Sequence, residues 1–217
     1  MKKALAGLWV LVFALAAAGQ ERFVRPVDEA SRDASFLAFR TKLIAAAEPR
    51  DLKYVMGVMD PKIKLSFGGH EGLKGFRELY TKEEEFWEAF LPVITRGGKW
   101  LSEPGSAKIF SAPYTFSAFP DDLDFFEHHV IFGSNVNLRE SPSMTGRVIE
   151  RLSYNVVKLT GSQPADLDTP REWFRVETLG GKKGWVKSDF VRSPLDFRAG
   201  FEKKRGVWKM IYFISGD

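Results

Sequence analysis

The chain has 217 residues, 44% of them hydrophobic, with 32 Lys and Arg against 28 Asp and Glu. It contains no Cys, which excludes disulfides, thiol catalysis and thiolate metal sites. Lys2 and Lys3 carry two of the four formal positive charges, and the +2 left on the remainder (4 − 2) does not support a nucleic-acid-binding surface.

The first residues, "MKKALAGLWVLVFALAAAGQ", run from lysines through an apolar stretch to small residues. That order predicts a secretory signal peptide over 1–19, with cleavage near Gln20 at the Ala17-x-Gly19 site. The apolar run is too short for a spanning helix of ~20 residues. The mature protein is therefore expected to be periplasmic or secreted, without stable membrane insertion.

From Ser31 to Pro49 the apolar Phe36, Phe39, Leu43 and Ala46 recur at helical spacing, with Ser31, Asp33 and Ser35 as candidate caps. A shorter helix over "RDLKYVMGVMD" would set Leu52, Val55 and Met59 on one side. "KIKLSF" alternates as a strand, with Ile63, Leu65 and Phe67 on one face. Residues 71–95 return to helical spacing and stop at Gly97-Gly98. "KWL" and "AKIFSAPYTFSAF" read as short strands. Residues 130–192 change character, to several short strands with almost no helical period. The tail is strand-turn-strand about Arg205-Gly206, with Trp208, Met210, Tyr212 and Ile214 on one face and Ile211 and Phe213 on the other. A strand apolar on both faces belongs inside a covered sheet. We therefore expect the tail to return to the first domain, with strand 207–214 pairing with strands from 99–119.

The fold class expected is α+β, with helices on a curved antiparallel sheet and a small all-β barrel inserted before the C-terminal hairpin. The expected divisions are 28–125 for the N-terminal domain, 130–192 for the barrel and 195–217 for the returning hairpin.

Within 130–192, the pattern Val136-Asn137-x-Arg139, Pro142-Ser143, Val148-Ile149, Leu152, Trp173-x-x-Val176 and Gly184-Trp185-Val186 resembles the bacterial SH3-like (SH3b) domain. Residues 163–171, "QPADLDTPR", depart from it as a longer polar loop near the expected ligand rim. The flanks resemble a nuclear-transport-factor-2-like cone in the order of their elements and in the final hairpin. The first resemblance implies a module that binds wall peptides or proteins.

Few side chains suit catalysis. His128 and His129 are adjacent in an extended stretch and point to opposite faces, which disfavours a shared metal. His70, in "SFGGHEG", reads as a turn residue; its alternative is a general base with Asp60 or Tyr114 as partner. "PDDLD" lacks the spacing of a calcium loop and "GGKKG" that of a phosphate loop. No catalytic residue, metal site or cofactor is expected.

If Val176 and Val186 face a core, Phe174 faces inward too, and Trp173 and Trp185 have the opposite parity. Flat side chains outside a core suit peptide or sugar binding, or packing against the first domain. Val136, Leu138, Ile149, Leu152, Val157 and Leu159 are expected to form the barrel core. Arg139 either stacks on Trp185 or bonds a neighbouring strand. The candidate ligand-binding residues are Trp173, Trp185, Arg139 and Tyr154. The function expected is a non-enzymatic binding protein whose partner is cell-wall peptide or an envelope protein. The alternatives are small-molecule binding or a hydrolase- or isomerase-type enzyme in the cone pocket, and a docking or dimerisation module.

Overall fold

The computed structural model describes residues 19–102, 107–162 and 172–217. The signal-peptide expectation rests on residues almost wholly outside that range, and the polar loop 163–171 also lies outside it. Asp33 accepts from the N–H groups of Ser35 and Phe36 and so caps α1 (Ala34–Ala47). Asp51 caps α2 (Leu52–Val58) in the same way, through the N–H of Tyr54. β1 (Met59–Lys64) begins earlier than the alternation indicates and ends before Phe67, which is exposed.

The single helix expected over 71–95 is two, α3 (Gly72–Leu79) and α4 (Glu83–Thr95). Glu83, Glu84 and Glu85 form the first turn of α4, where negative charge complements the helix dipole. That acidic run was the local sign of a second helix start. β2 (Lys99–Leu101) and β3 (Ile109–Ala112) follow, but the stretch after β3 forms a short helix, α5 (Tyr114–Ser117), instead of another strand.

The next seven strands are β4 (His128–Ile131), β5 (Val136–Arg139), β6 (Val148–Leu152), β7 (Val156–Ser162), β8 (Trp173–Thr178), β9 (Lys183–Lys187) and β10 (Val191–Arg192). They form one sheet in the order β10-β4-β7-β8-β9-β5-β6. Buried residues from all seven strands meet in one aliphatic cluster: Ile131, Val136, Leu138, Leu152, Val157, Val176, Val186 and Val191. A flat sheet could not bring both of its edges to one cluster, so this sheet curls around its core. It does not close: β10 and β6 remain edges, so the expected barrel is an open one. Ile149 is 40% exposed rather than core, and Leu159 packs at the margin of the cluster.

β11 (Arg198–Lys204) and β12 (Val207–Ile214) return to the first sheet, whose order is β1-β12-β11-β3-β2. β12 thus lies inside the sheet. Its neighbours are β11 and β1, the latter parallel, and β11 separates it from β3. The direct pairing of 207–214 with residues 99–119 is therefore corrected, and the sheet is mixed. Arg205 and Gly206 both have positive φ, 49° and 83°, as a tight hairpin turn requires.

The register Gly200↔Tyr212, Phe201↔Met210 leaves Ile211 without a partner on β11. This bulge reverses the alternation. Trp208, Met210 and Phe213 consequently share the helix-facing core, while Tyr212 turns away to hydrogen-bond Ser111 at 2.8 Å. The expected four-residue face of Trp208, Met210, Tyr212 and Ile214 is broken at that point.

Helices α1 to α4 cover one face of the first sheet over an aromatic core that includes Phe36, Phe86, Phe90, Phe110 and Phe213. Buried Arg40 ties α1 to the end of α4, donating to the Ile94 carbonyl at 3.0 Å and pairing with Asp28 at 2.6 Å. A third, smaller cluster of Val24, Tyr114, Phe119, Val130 and Val156 joins the N-terminal residues and α5 to the curled sheet. The N-terminal segment docks through Val24 N–H to the Tyr154 carbonyl and Val156 N–H to the Arg22 carbonyl, each at 2.8 Å.

Candidate functional site

Registered partners in an antiparallel ladder point to the same face. Trp173 pairs with Lys187, Arg175 with Trp185, and Trp185 with Arg139 on its other side. Val176, Val186 and Leu138 take the opposite parity and enter the aliphatic core. Trp173, Arg139, Trp185 and Lys187 therefore share the outer face of β5, β8 and β9. Gly184 makes the close approach of β5 and β9 possible, because a Cβ there would lie 2.7 Å from the Arg139 carbonyl oxygen. Glycine is required by that contact.

This face carries a pocket of about 260 Å³ lined by Ser134, Asn135, Val136, Asn137, Arg139, Met144, Trp173, Lys187 and Phe190. Its apolar walls come from Met144, 66% exposed, Phe190, 41% exposed, and Trp173. Arg139 and Lys187 bring positive charge. Lys187 is also paired, with Asp189 at 3.9 Å. Met144 is held outward by a self-bonded loop. In it Glu140 N–H donates to the Arg147 carbonyl at 3.0 Å, and Gly146 N–H to that of Ser143 at 3.1 Å.

The four expected ligand-binding residues do not all meet. Trp173 has the outer parity expected but is only 4% exposed, so it offers an edge in the pocket rather than an open platform. Trp185 is half-buried on the same face, outside the pocket lining. Arg139 lies opposite Trp185 in register, yet its guanidinium donates to the Gly146 carbonyl at 2.7 Å and steadies the loop. Tyr154 lines a different cavity, with Tyr114 and Arg96. Met144, Phe190, Asn137 and Lys187 were missed. For Met144 a signal existed: a large apolar residue in a Ser-, Pro- and Gly-rich loop has no core to enter.

The alternative catalytic set is dispersed. Asp60 accepts from Lys204 Nζ at 2.9 Å and from Lys62 N–H at 2.8 Å. The His70 ring contacts the Ser66 hydroxyl at 3.1 Å, and Tyr114 lies in the third cluster. No hydrogen bond joins any two of the three among the described residues. The histidine pair diverges: His128 Nδ1 meets the Asp124 carbonyl at 3.0 Å, while burial pushes the His129 pKa down. Among the described residues no group of three His, Asp or Glu is placed to hold a metal. Nor is any helix there long and apolar enough to cross a membrane.

Comparison with curated proteins gives no match to this chain. The nuclear-transport-factor-2-like resemblance of the flanks rests on element order and the final hairpin, and no family match supports it. Residues 134–192, from just before β5 through β10, match the family model of the bacterial SH3 domain, which points to a peptidoglycan- or protein-binding role for that part of the chain.

Proposed function

We propose that this is an exported, non-enzymatic binding protein of the cell envelope. Its SH3-like unit recognises peptidoglycan peptide or an envelope protein at the pocket beside Trp173. Residues 130–192 form the binding unit in this reading, and 28–125 with 195–217 form its carrier. The observation that carries it is the outer face of β5, β8 and β9. Exposed Met144 and Phe190 stand there with Trp173, and Arg139 and Lys187 supply positive charge. An extended peptide could lay apolar groups against the walls and a carboxylate against the cations. Export rests on the order of residues 1–19.

The test is co-sedimentation of the purified protein with peptidoglycan. Wild type should sediment with the wall, and the Met144→Ala/Phe190→Ala double variant should remain in solution. Equal sedimentation of both would reject the pocket. His70→Ala should bind as wild type does.

A further inference from the structure

Tyr154, Tyr114 and Arg96 meet in a cavity of about 480 Å³, separate from the SH3-like pocket. Its walls are residues 26–28, Thr95 at the end of α4 with Arg96 and Gly97 just after it, and Phe132, Gly133 and Tyr154 from connections of the curled sheet. Both parts of the molecule are thus needed to form it.

Three side chains in this cavity, Arg96, Tyr114 and Tyr154, have no side-chain hydrogen-bond acceptor among the described residues. Among the described residues, no carboxylate lies within 4.0 Å of the Arg96 guanidinium, and it makes no side-chain hydrogen bond. Instead it lies 4.3 Å from the Phe132 ring centroid. Arg192 approaches the same ring at 5.8 Å. Burial and the nearby Arg192 charge both push the Arg96 pKa down, so a bound anion would relieve the site. The phenol hydroxyls of Tyr114 and Tyr154 likewise lack hydrogen-bond partners among the described residues. Burial pushes Tyr114 up to about 12, so it stays a donor at neutral pH.

The backbone is strained where it delivers one of these donors. Tyr154 has φ +60°, uncommon for a bulky side chain. It is fixed there by its own N–H to the Gly133 carbonyl at 3.0 Å and by its carbonyl accepting from Val24 N–H at 2.8 Å. Strain held by surrounding bonds is found at ligand sites.

The charge around the cavity selects the ligand. Asp28 lies in the wall, but Arg40 contacts both of its oxygens, at 2.6 and 2.7 Å. Asp196 lines a neighbouring pocket that Arg96 and Arg192 also border, and lies beyond ion-pair distance of Arg96. Among the described residues the lining holds one guanidinium without a carboxylate partner, Arg96, beside two phenol hydroxyls, a set that suits a monoanion better than a dianionic phosphate. Pro26, Val27 and Phe132 offer an apolar wall.

We propose that this cleft binds a small organic monocarboxylate, its carboxylate held by Arg96, Tyr154 and Tyr114 and its apolar part against Val27 and Phe132. The test is calorimetric titration of the whole protein. The probes are N-acetyl-L-alanine and N-acetyl-L-phenylalanine, the amides of both, and inorganic phosphate. At least one acid should bind at millimolar concentration or better, and its amide about tenfold more weakly. Arg96→Gln should weaken the acid at least about tenfold, and Tyr154→Phe about three- to tenfold. Should Arg96→Gln fail to fold by circular dichroism, Tyr154→Phe decides, since it removes a single oxygen. Absence of binding by both acids, equal binding of acid and amide, stronger binding of phosphate, or wild-type affinity in Tyr154→Phe would each overturn the proposal.

Discussion

The two sheets of this protein use aromatic residues in opposite ways. The core under the first sheet is a network of rings, with Phe36 alone within 5.9 Å of Phe39, Trp100, Phe110, Phe201 and Trp208. The buried core of the curled sheet is wholly aliphatic. Its tryptophans and Phe190 stand outside that cluster, on or beside the outer face. Aromatic side chains bury much area and favour edge-to-face packing, so in the first sheet they hold helices to strands. In the second, the buried core is aliphatic, with Phe174 packed at its margin, and Trp173, Trp185 and Phe190 lie outside it.

The sharpest way to break this comparison is Phe36→Ala. It should destabilise the protein by ~3–5 kcal/mol in urea unfolding, because it opens a cavity that five other rings line. Trp185→Ala, on the half-buried outer face, should cost well under half of that. Equal losses would show that the second region also depends on its aromatics for folding.

Gly200→Ala comes next. A Cβ at Gly200 would run into the Tyr212 ring, and moving that ring would break its bond to Ser111. A loss of ~1–3 kcal/mol is expected from overpacking, again measured in urea. Wild-type stability would mean that β11 and β12 are not held as closely as described.

A smaller effect is tied to pH and again confined to the first sheet. The hydrogen bond from Lys204 holds the Asp60 carboxyl below the ordinary range, against the opposing effect of burial. A depressed carboxyl pKa contributes stability that is fully present above the unfolded value of ~3.9. That contribution is lost as pH falls through the lower folded value. Asp60→Asn should therefore flatten the acid side of the stability curve and leave pocket binding near neutral pH unchanged. An acid limb identical to wild type would remove Asp60 from the account.

Much of the fold was legible in local patterns. Arg205-Gly206 marked the hairpin, the candidate caps Ser31, Asp33 and Ser35 bracketed the helix start that Asp33 makes, and the shift in period near residue 130 marked the second sheet. What failed depended on distant partners. The parity of β12 assumed an uninterrupted ladder, and the unpaired Ile211 reverses it through a register that only β11 reveals. The third cluster draws Val24, Tyr114, Phe119, Val130 and Val156 from separate segments, and no window of sequence contains them together. At the site, alternation correctly put Trp173 and Trp185 on one face. Their burial, and the contribution of Met144 and Phe190, depends on loops folding over that face, which periodicity does not report.

The central claim is that the outer face of β5, β8 and β9 is a binding surface, and saturation binding to purified peptidoglycan tests it most directly. Wild type should bind with little loss as salt rises, because apolar contact is screened less than long-range charge attraction. The Met144→Ala/Phe190→Ala variant should keep wild-type thermal stability and lose ~1–3 kcal/mol of binding free energy. Wild-type affinity in that stably folded variant would contradict the assignment of this face.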